Sequence, residues 1–181
     1  MTDPCAPEEP VTDDYSGRIL TGAFSGALKA RLRDRIARCR LFDALDGPAI
    51  LYIAAWQGSR QTIWYEFAGR RLVELLGCRP QEIAAEFRRR VVDRRIYTSP
   101  DDGRGVRRED KSREELGAAW SRLREEGLRE GRVEAVYRMA MGGGHSIWLK
   151  DQAVIEVHAA DGVCLSPGLL TVVSKEMEAE E

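Results

Sequence analysis

Hydrophobic side chains between residues 25 and 46 recur at the spacing of one helix face. Ser25 is a suitable N-cap at the start of this pattern, and Gly47-Pro48 interrupts it. We therefore predict an N-terminal amphipathic helix over residues 25–46. Its apolar positions are Leu28, Leu32, Ile36, Cys39 and Phe42.

Residues 1–24 precede this helix and differ from it in composition. They are rich in Pro, Asp, Glu and Thr and contain few large apolar side chains. Such a segment buries too little apolar surface to hold one conformation, so we predict a flexible tail.

Two stretches of strand-forming residues follow, at 49–56 and 62–67, and their spacing suits a hairpin. Short helical patterns come next. The first ends at Gly77, a typical C-terminal cap, and the second begins at Pro80. Residues 99–103 then have the composition of a turn.

The second half of the chain predicts one longer helix and three strands. Ser112 and Glu115 have the spacing of a capping box, and Gly127 is expected to end the helix. Three strands follow, joined by glycine-containing turns, over residues 133–141, 146–157 and 169–173. This order predicts an α+β fold, with a five-stranded antiparallel sheet and short helices on one face.

The long predicted strand carries apolar side chains on both faces. Leu149 and Ala153 share one face, whereas Trp148 and Val154 share the other. An antiparallel sheet with two apolar faces needs a cover on each. The helix over residues 25–46 is the expected cover, contributed by its own chain or by a second copy, and we therefore expect a homodimer.

Composition is that of an ordinary globular domain with short extensions. The 181 residues are 43% hydrophobic, and the formal net charge is -2. No apolar run reaches the ~20 residues that span a bilayer, and no signal pattern opens the chain. The four cysteines have no CxxC spacing, as expected of reduced thiols. We expect a cytoplasmic protein with no membrane partner.

Arginine is concentrated between residues 88 and 108. A solvated helix and loop face with interleaved aspartates is the simpler interpretation, and a patch for phosphate or an acidic partner is the other. The net charge of -2 gives no support for a nucleic-acid partner, and we expect none. A nucleic-acid binder is kept as a third hypothesis, which the salt dependence of binding to DNA or RNA would test.

The segment YRMAMGGGHSIWLKDQAVIEVHAADGVCLSPGLLTVVS carries a series of ordered markers. They are Tyr137-Arg138, Gly144, Trp148, Asp161-Gly162 and Gly168 through Ser174. Two earlier stretches, GRRLVELLGCRPQEI and IYTSPDD, extend the series. In this order the motifs resemble a PAS domain with its C-terminal PAC segment, as found in bacterial sensory proteins.

The resemblance implies a sensory, non-enzymatic module over residues 47–174. It implies dimerisation and relay of a signal, from a small ligand or a protein contact, to an effector such as a histidine kinase or diguanylate cyclase. Residues 175–181 resemble the start of a signalling linker helix. The family's closing Asp-Ile-Thr is replaced by Val172-Val173-Ser174, which leaves the output coupling open. A fragment of a larger regulator and a complete domain are both compatible with the sequence.

The sequence offers little for a cofactor or for catalysis. Haem-binding family members carry a histidine on the long helix, where residues 112–127 have none, and Cys78 lies outside the motif of the flavin-binding members. His145 and His158 fall at predicted turns without metal-ligand spacing, and no hydrolase motif is present. We expect no catalytic residue, no metal site, no haem and no flavin, but an unidentified small ligand is compatible.

A cavity between the sheet and the short helices is the expected place for such a ligand. The alternative is a solid core made of the same side chains. The candidate lining residues are Trp64, Phe67, Leu76, Trp120, Leu123, Tyr137, Met139 and Leu149.

The rival function is a small enzyme of a cone-shaped α+β fold with a polar pocket. That fold would place two or more carboxylates, or a histidine, inside the cavity. The number of ionisable groups in the cavity therefore distinguishes the two hypotheses.

Overall fold

The computed structural model describes residues 17–45, 47–57, 62–98, 107–112 and 114–178. Only the backbone is described at residues 96–98, 107–108, 118–120, 123 and 178. The helices are α1 (Gly26–Asp43), α2 (Arg70–Leu76), α3 (Ile83–Arg90), α4 (Leu116–Glu130) and α5 (Ser174–Glu178). The strands are β1 (Ile50–Gln57), β2 (Trp64–Ala68), β3 (Val91–Thr98), β4 (Arg107–Ser112), β5 (Arg132–Ala140), β6 (Ser146–Val154), β7 (Glu156–His158) and β8 (Val163–Val172). The turn predicted at 99–103 lies outside the described residues.

The strands form one antiparallel sheet in the order β2-β1-β8-β6-β5-β3-β4, and β7 pairs with β8 beside this path. The predicted α+β architecture is confirmed. The number of five strands is wrong, because the described residues contain eight. One extra strand arises where the stretch 146–157 divides at Ile155, whose N–H donates to the carbonyl of Gly131. The other two are β3 and β4.

β3 lies within the arginine-rich segment and β4 begins at its end. A solvated helix and loop face was the simpler prediction for this segment. The two strand sequences, VVDRRIYT and RREDKS, lack the apolar alternation of a typical strand. β3 nevertheless pairs with β5, and this places Arg94 opposite Tyr137 and Arg95 opposite Val136. Both arginines are buried, so the prediction is wrong for them. The neighbouring strand, rather than a local hydrophobic pattern, determines the structure here.

One face of the sheet, here called the inner face, is covered by α2, α3 and α4. Leu72 and Leu76 of α2 and Phe87 of α3 pack there against Tyr137 and Leu149 of the sheet. Gly77 ends α2 with φ 58°, as predicted, in the left-handed region that glycine favours.

Helix α1 covers part of the opposite face, here called the outer face. Its buried side chains Leu28, Leu32 and Ile36 pack against residues of β1 and β8 in the same chain. Ser25 caps the helix by accepting a hydrogen bond from the N–H of Leu28, and its own N–H and hydroxyl donate to Asp161 before β8. The cover predicted for the sheet is thus supplied within the chain.

The far end of α1 extends beyond this contact. Cys39 is partly buried against the outer-face core, but Phe42 is 65% exposed. Leu41 and Leu45 beside it are 73% and 65% exposed. Phe42 therefore does not act as part of the cap within one chain.

Part of the predicted flexible tail is packed against the sheet. Residues 17–24 are described, and Ile19 among them is fully buried. The N–H groups of Arg18 and Ile19 donate to Oε1 of the buried Glu66, at 3.0 and 2.9 Å. The predicted flexible tail is therefore wrong for residues 17–24. The carboxylate of Glu66, 47 residues from Ile19 in the sequence, holds this segment against the sheet.

Glycine at position 127 serves helix packing and does not end α4. The helix continues to Glu130, and Gly131 caps it with φ 71°. A Cβ at Gly127 would lie 2.7 Å from the side chain of Ile155 and 2.9 Å from that of Val133. The glycine lets α4 approach the sheet closely, so the predicted helix end was wrong by one turn.

A second, smaller outer-face cluster holds the C-terminal helix. Met177 of α5 packs with Trp148 of β6 and Val136 of β5. Arg95 lies over the Trp148 ring at 4.1 Å from its centroid, a distance typical of a cation–π interaction. The helix predicted to follow the domain thus begins in contact with the sheet.

Candidate functional site: an inner-face cavity with a buried carboxylate

A cavity of about 310 Å³ lies between the inner face and helices α3 and α4. Its walls are mainly aromatic and aliphatic, with a small number of polar groups. The aromatic side chains are Tyr52, Trp56, Tyr65, Phe87 and Tyr137. The polar and charged side chains include Asp151, Ser166, Arg88 and Arg124. This combination is typical of sites for small molecules.

Asp151 is the central polar group of this wall. It lies on β6 and is 8% exposed. The Tyr52 hydroxyl donates a hydrogen bond to its Oδ1 at 2.6 Å, and the Tyr137 hydroxyl donates a second hydrogen bond to the same carboxyl group. The carboxylate is therefore held from both sides, by β1 and by β5.

Small neighbours let the two tyrosines reach the carboxylate. Gly168 of β8 lies opposite Tyr52 on one side and Ala153 on the other. A Cβ at Gly168 would stand 2.6 Å from the Tyr52 hydroxyl oxygen and 2.7 Å from its Cζ. The tyrosine ring crosses β8 only because this position has no side chain. Ala135, the direct partner of Asp151 on β5, is similarly small.

Edge-to-face ring contacts orient both tyrosines. The Tyr52 and Tyr65 rings have centroids 5.7 Å apart at 64°, and the Phe87 and Tyr137 rings are 5.7 Å apart at 86°. Such arrangements are favoured by the quadrupoles of the rings. The aromatic wall thus fixes the two donors of Asp151.

Burial sets the protonation behaviour of this group. It raises the pKa of Asp151 to about 7, against the opposing effects of the Tyr52 and Tyr137 hydrogen bonds and the charge of Arg94. Burial also raises the pKa of Tyr52 and of Tyr137 well above the usual value, and the nearby Asp151 adds to the effect. Near neutral pH, Asp151 is therefore the group of this network that exchanges a proton.

Arg94 supplies a buried positive charge near the network. It is 2% exposed on β3, opposite Tyr137. Burial lowers the pKa of its guanidinium, whereas the neighbouring Tyr137, Glu126 and Asp151 raise it. The network therefore combines the carboxyl group of Asp151, the phenols of Tyr52 and Tyr137 and the nearby guanidinium of Arg94, all of them buried.

Among the predicted lining residues whose side chains are described, one lines this cavity. Tyr137 lines it, while Leu76, Met139 and Leu149 are buried in the adjoining inner-face core. Trp120 and Leu123 lie on α4, but their side chains are outside the described part of the structure.

Trp64 and Phe67 both lie on the outer face, away from the cavity. The reason is a β-bulge in β2. Ile53 pairs with Phe67 and Ala54 pairs with Tyr65, so Glu66 is an extra residue between them. The bulge changes the alternation of faces along the strand. It leaves Tyr65 as the β2 aromatic residue that contributes to the cavity.

Sequence reasoning missed Tyr52, Asp151 and Arg94. A signal for Asp151 was present, because it falls on the same alternation as Leu149 and Ala153 and is the charged member of that series. A carboxylate at a core position of a strand indicates a satisfied or functional polar group. No comparable local signal marks its partner Tyr52.

The cavity wall contains no cysteine and no histidine among the described residues. Cys78 packs instead against the inner-face core, and burial raises the pKa of its thiol. Within the described ranges, no group of three or more His, Cys, Asp or Glu side chains is arranged to hold a metal ion. In the same ranges, no helix combines the length and the apolar composition of a membrane-spanning segment.

Comparison with solved structures identifies the fold. The PAS domain of a protein from Colwellia psychrerythraea has a TM-score of 0.50 and 14% identity, covering 77% of this chain and 96% of that chain. A structure from a flavin-analogue study of the light-oxygen-voltage domain mechanism has a TM-score of 0.41 and 15% identity. The match covers 88% of this chain and 100% of that chain. No protein-family model and no curated protein matches the sequence. The antiparallel sheet, the short helices on its inner face and the first of these likenesses show that the chain has a PAS fold.

Proposed function

We propose that this chain is a cytoplasmic sensory module of the PAS type that binds a small molecule in its inner-face cavity. The preformed cavity of about 310 Å³, with Asp151 in its wall, is the observation that carries this proposal. Cavities of this kind are apolar with a few converging polar groups, which orient a ligand. Occupancy of the cavity is the signal.

The polar groups of the cavity favour binding over catalysis. Among the described lining residues Asp151 is the single carboxylate, and the cone-shaped enzyme hypothesis required two or a histidine. Asp151 is also engaged by two tyrosine hydroxyls. A carboxyl group that two hydroxyls already hold is better suited to sensing a bound ligand than to acting on one. The small enzyme is kept as the second candidate.

Strand β6 offers a route from the cavity to the C-terminal helix. Asp151 lies on its inner face, and Trp148, three residues earlier, lies on its outer face against Met177. The N–H of Trp148 donates to the Ser174 hydroxyl at 3.0 Å, and the N–H of Val173 donates to the Trp148 carbonyl at 2.9 Å. A shift of β6 therefore changes the start of α5, which we propose leads to an effector such as a histidine kinase or diguanylate cyclase.

Hydrogen exchange in the Asp151→Asn variant tests this route. We expect faster exchange at the amides of Trp148 and Met177, because the altered carboxyl network repositions β6. Gln152→Ala is the matched control, since Gln152 is exposed on the same strand. Unchanged exchange at both amides would remove the proposed link between cavity and helix.

The exposed end of α1 supports the proposal of a homodimer. Leu41, Phe42 and Leu45 form an apolar surface at this end, and contiguous exposed apolar groups mark interaction sites. Analytical ultracentrifugation should show a dimer that Phe42→Glu converts to a monomer. Ala37→Glu, at an exposed position of the same helix, is the control. A monomeric wild-type chain would contradict the dimer without affecting the ligand site.

A further inference from the structure

We propose that the ligand of the inner-face cavity is a small aromatic carboxylate, whose carboxylate group binds Arg88 and Arg124 while its ring enters the aromatic cavity. This inference rests on the proposed function, because it names the class of molecule that the sensory cavity takes.

The two arginines come from different helices to the same cavity. Arg88 lies near the end of α3 and is exposed, and Arg124 lies on α4 and is half-buried. The neighbouring Arg89 and Arg90 both form ion pairs with Glu86. The helical turn therefore directs two of its three arginines to a carboxylate of the same helix and the third to the cavity.

Placing these two guanidinium groups together is electrostatically unfavourable. Burial lowers the pKa of Arg124, and the positive charge of Arg88 lowers it further, while Glu125 opposes both effects. An anion bound between them would offset the repulsion and accept several charge-assisted hydrogen bonds. Guanidinium groups suit planar carboxylates in particular, because two parallel N–H groups match the two oxygens.

The charged side chains of the described cavity wall point the same way. Arg88 and Arg124 line it, and Arg94 lies buried beside the network. The described acidic group in the wall is Asp151, whose pKa burial raises to about 7 and which already accepts hydrogen bonds from two tyrosine hydroxyls. A cationic ligand would be repelled by the guanidinium groups of Arg88 and Arg124, whereas the carboxylate of a monoanion would be attracted by both.

The shape and chemistry of the walls specify the rest of the ligand. Tyr52, Trp56, Tyr65 and Phe87 present aromatic surfaces, which favour stacking or edge contacts with a ring. A volume of about 310 Å³ is at the lower end for ligand pockets, which indicates a compact molecule. A single ring with a short acidic side chain fits these requirements.

Isothermal titration calorimetry with three matched probes tests the inference. The probes are 3-phenylpropanoate, 3-phenylpropanol and 3-phenylpropylammonium, which share a body and differ in charge. We expect the carboxylate to bind at least tenfold more tightly than the alcohol, and the ammonium compound to bind most weakly. A tenfold difference corresponds to about 1.4 kcal/mol.

Substitutions then locate the charge recognition. Arg88→Gln should weaken carboxylate binding about tenfold and leave alcohol binding unchanged. Arg89→Gln is the matched control, because Arg89 is adjacent in sequence but pairs with Glu86. The affinity for the carboxylate should also fall with added salt, since Arg88 is exposed. Equal losses in Arg88→Gln and Arg89→Gln would overturn the assignment.

Failure of this inference is distinguishable from failure of the proposed function. Gly117 lines the cavity, and a Cβ there meets no atom within 4 Å, so Gly117→Phe should fill the space and Gly117→Ala should not. If the alcohol binds as tightly as the carboxylate, and only Gly117→Phe abolishes binding, the cavity is a ligand site but not for carboxylates. If none of the three probes binds, the carboxylate class and the ligand-binding cavity are both overturned.

Discussion

The hydroxyl group of Tyr52 lies 2.6 Å from Oδ1 of Asp151, although 99 positions separate the two residues in the chain. The contact crosses β8, from β1 to β6, over the bare backbone of Gly168. It ties the cavity wall to the strand that also carries Trp148 and contacts α5. The cavity and the C-terminal helix therefore share one strand, and the Asp151 network lies on it.

Removal of the Asp151 charge should change how stability depends on pH. The pKa of this carboxyl is raised to about 7 from 3.8, with burial the main cause. Between these values the folded state holds a proton that the unfolded state has released. The contribution of the Asp151 carboxyl to the free energy of unfolding is therefore fully present below about pH 4, and it is lost as the pH rises towards 7.

Urea unfolding of wild type and Asp151→Asn between pH 4.5 and 7.5 measures this effect. The difference in free energy of unfolding should shift against the wild type over this pH range by roughly 3 kcal/mol. Other titrating groups are common to both proteins and cancel in the difference. A difference independent of pH would show that the carboxyl titrates as an ordinary exposed group.

Gly168→Ala should displace the Tyr52 ring. The added Cβ would lie 2.6–2.7 Å from the tyrosine and 2.7 Å from the Ala153 Cβ, so the free energy of unfolding should fall by about 1–3 kcal/mol. Gly142→Ala is the control, because a Cβ there meets no atom within 4 Å. Combination with Tyr52→Ala should cost less than the sum of the two changes. Strict additivity would mean that glycine does not make room for the tyrosine.

Glu66→Gln should release the segment before α1. The carboxylate accepts hydrogen bonds from the N–H groups of Arg18 and Ile19 and from the Trp64 indole. Loss of its charge weakens these bonds, so we expect a cost of about 1–3 kcal/mol and faster hydrogen exchange at the Ile19 amide. Glu74→Gln, at an exposed position of α2, is the control. Unaltered exchange at Ile19 would show that Glu66 does not hold the segment.

Met177→Ala should loosen α5 from the sheet. The side chain is 5% exposed and packs against Trp148 and Val136. Its truncation should cost about 2 kcal/mol or more and raise hydrogen exchange at the Trp148 amide, which donates to Ser174. Lys175→Ala is the exposed control on the same helix. Equal stability of the two variants would mean that α5 is not docked in solution.

Local patterns were sufficient for much of the fold. Helical spacing from Leu28 to Ile36, the Ser25 cap and the Gly77 stop predicted elements that the structure contains. Alternation in residues 133–141 predicted β5. These features depend on backbone preferences and periodicity within a few residues, which the sequence displays directly.

The cavity could not be obtained in this way. The bulge at Glu66 placed Trp64 and Phe67 on the same face of the sheet, and pairing with β5 made a strand of the charged segment 91–98. The contact of Tyr52 with Asp151 depends on the order of β1, β8 and β6 and on a glycine between them. Local periodicity in the sequence was enough to predict five of the eight described strands, the main helices and the antiparallel α+β class. Strand register and order decided which side chains meet around the cavity, since those contacts join residues that are distant in the chain.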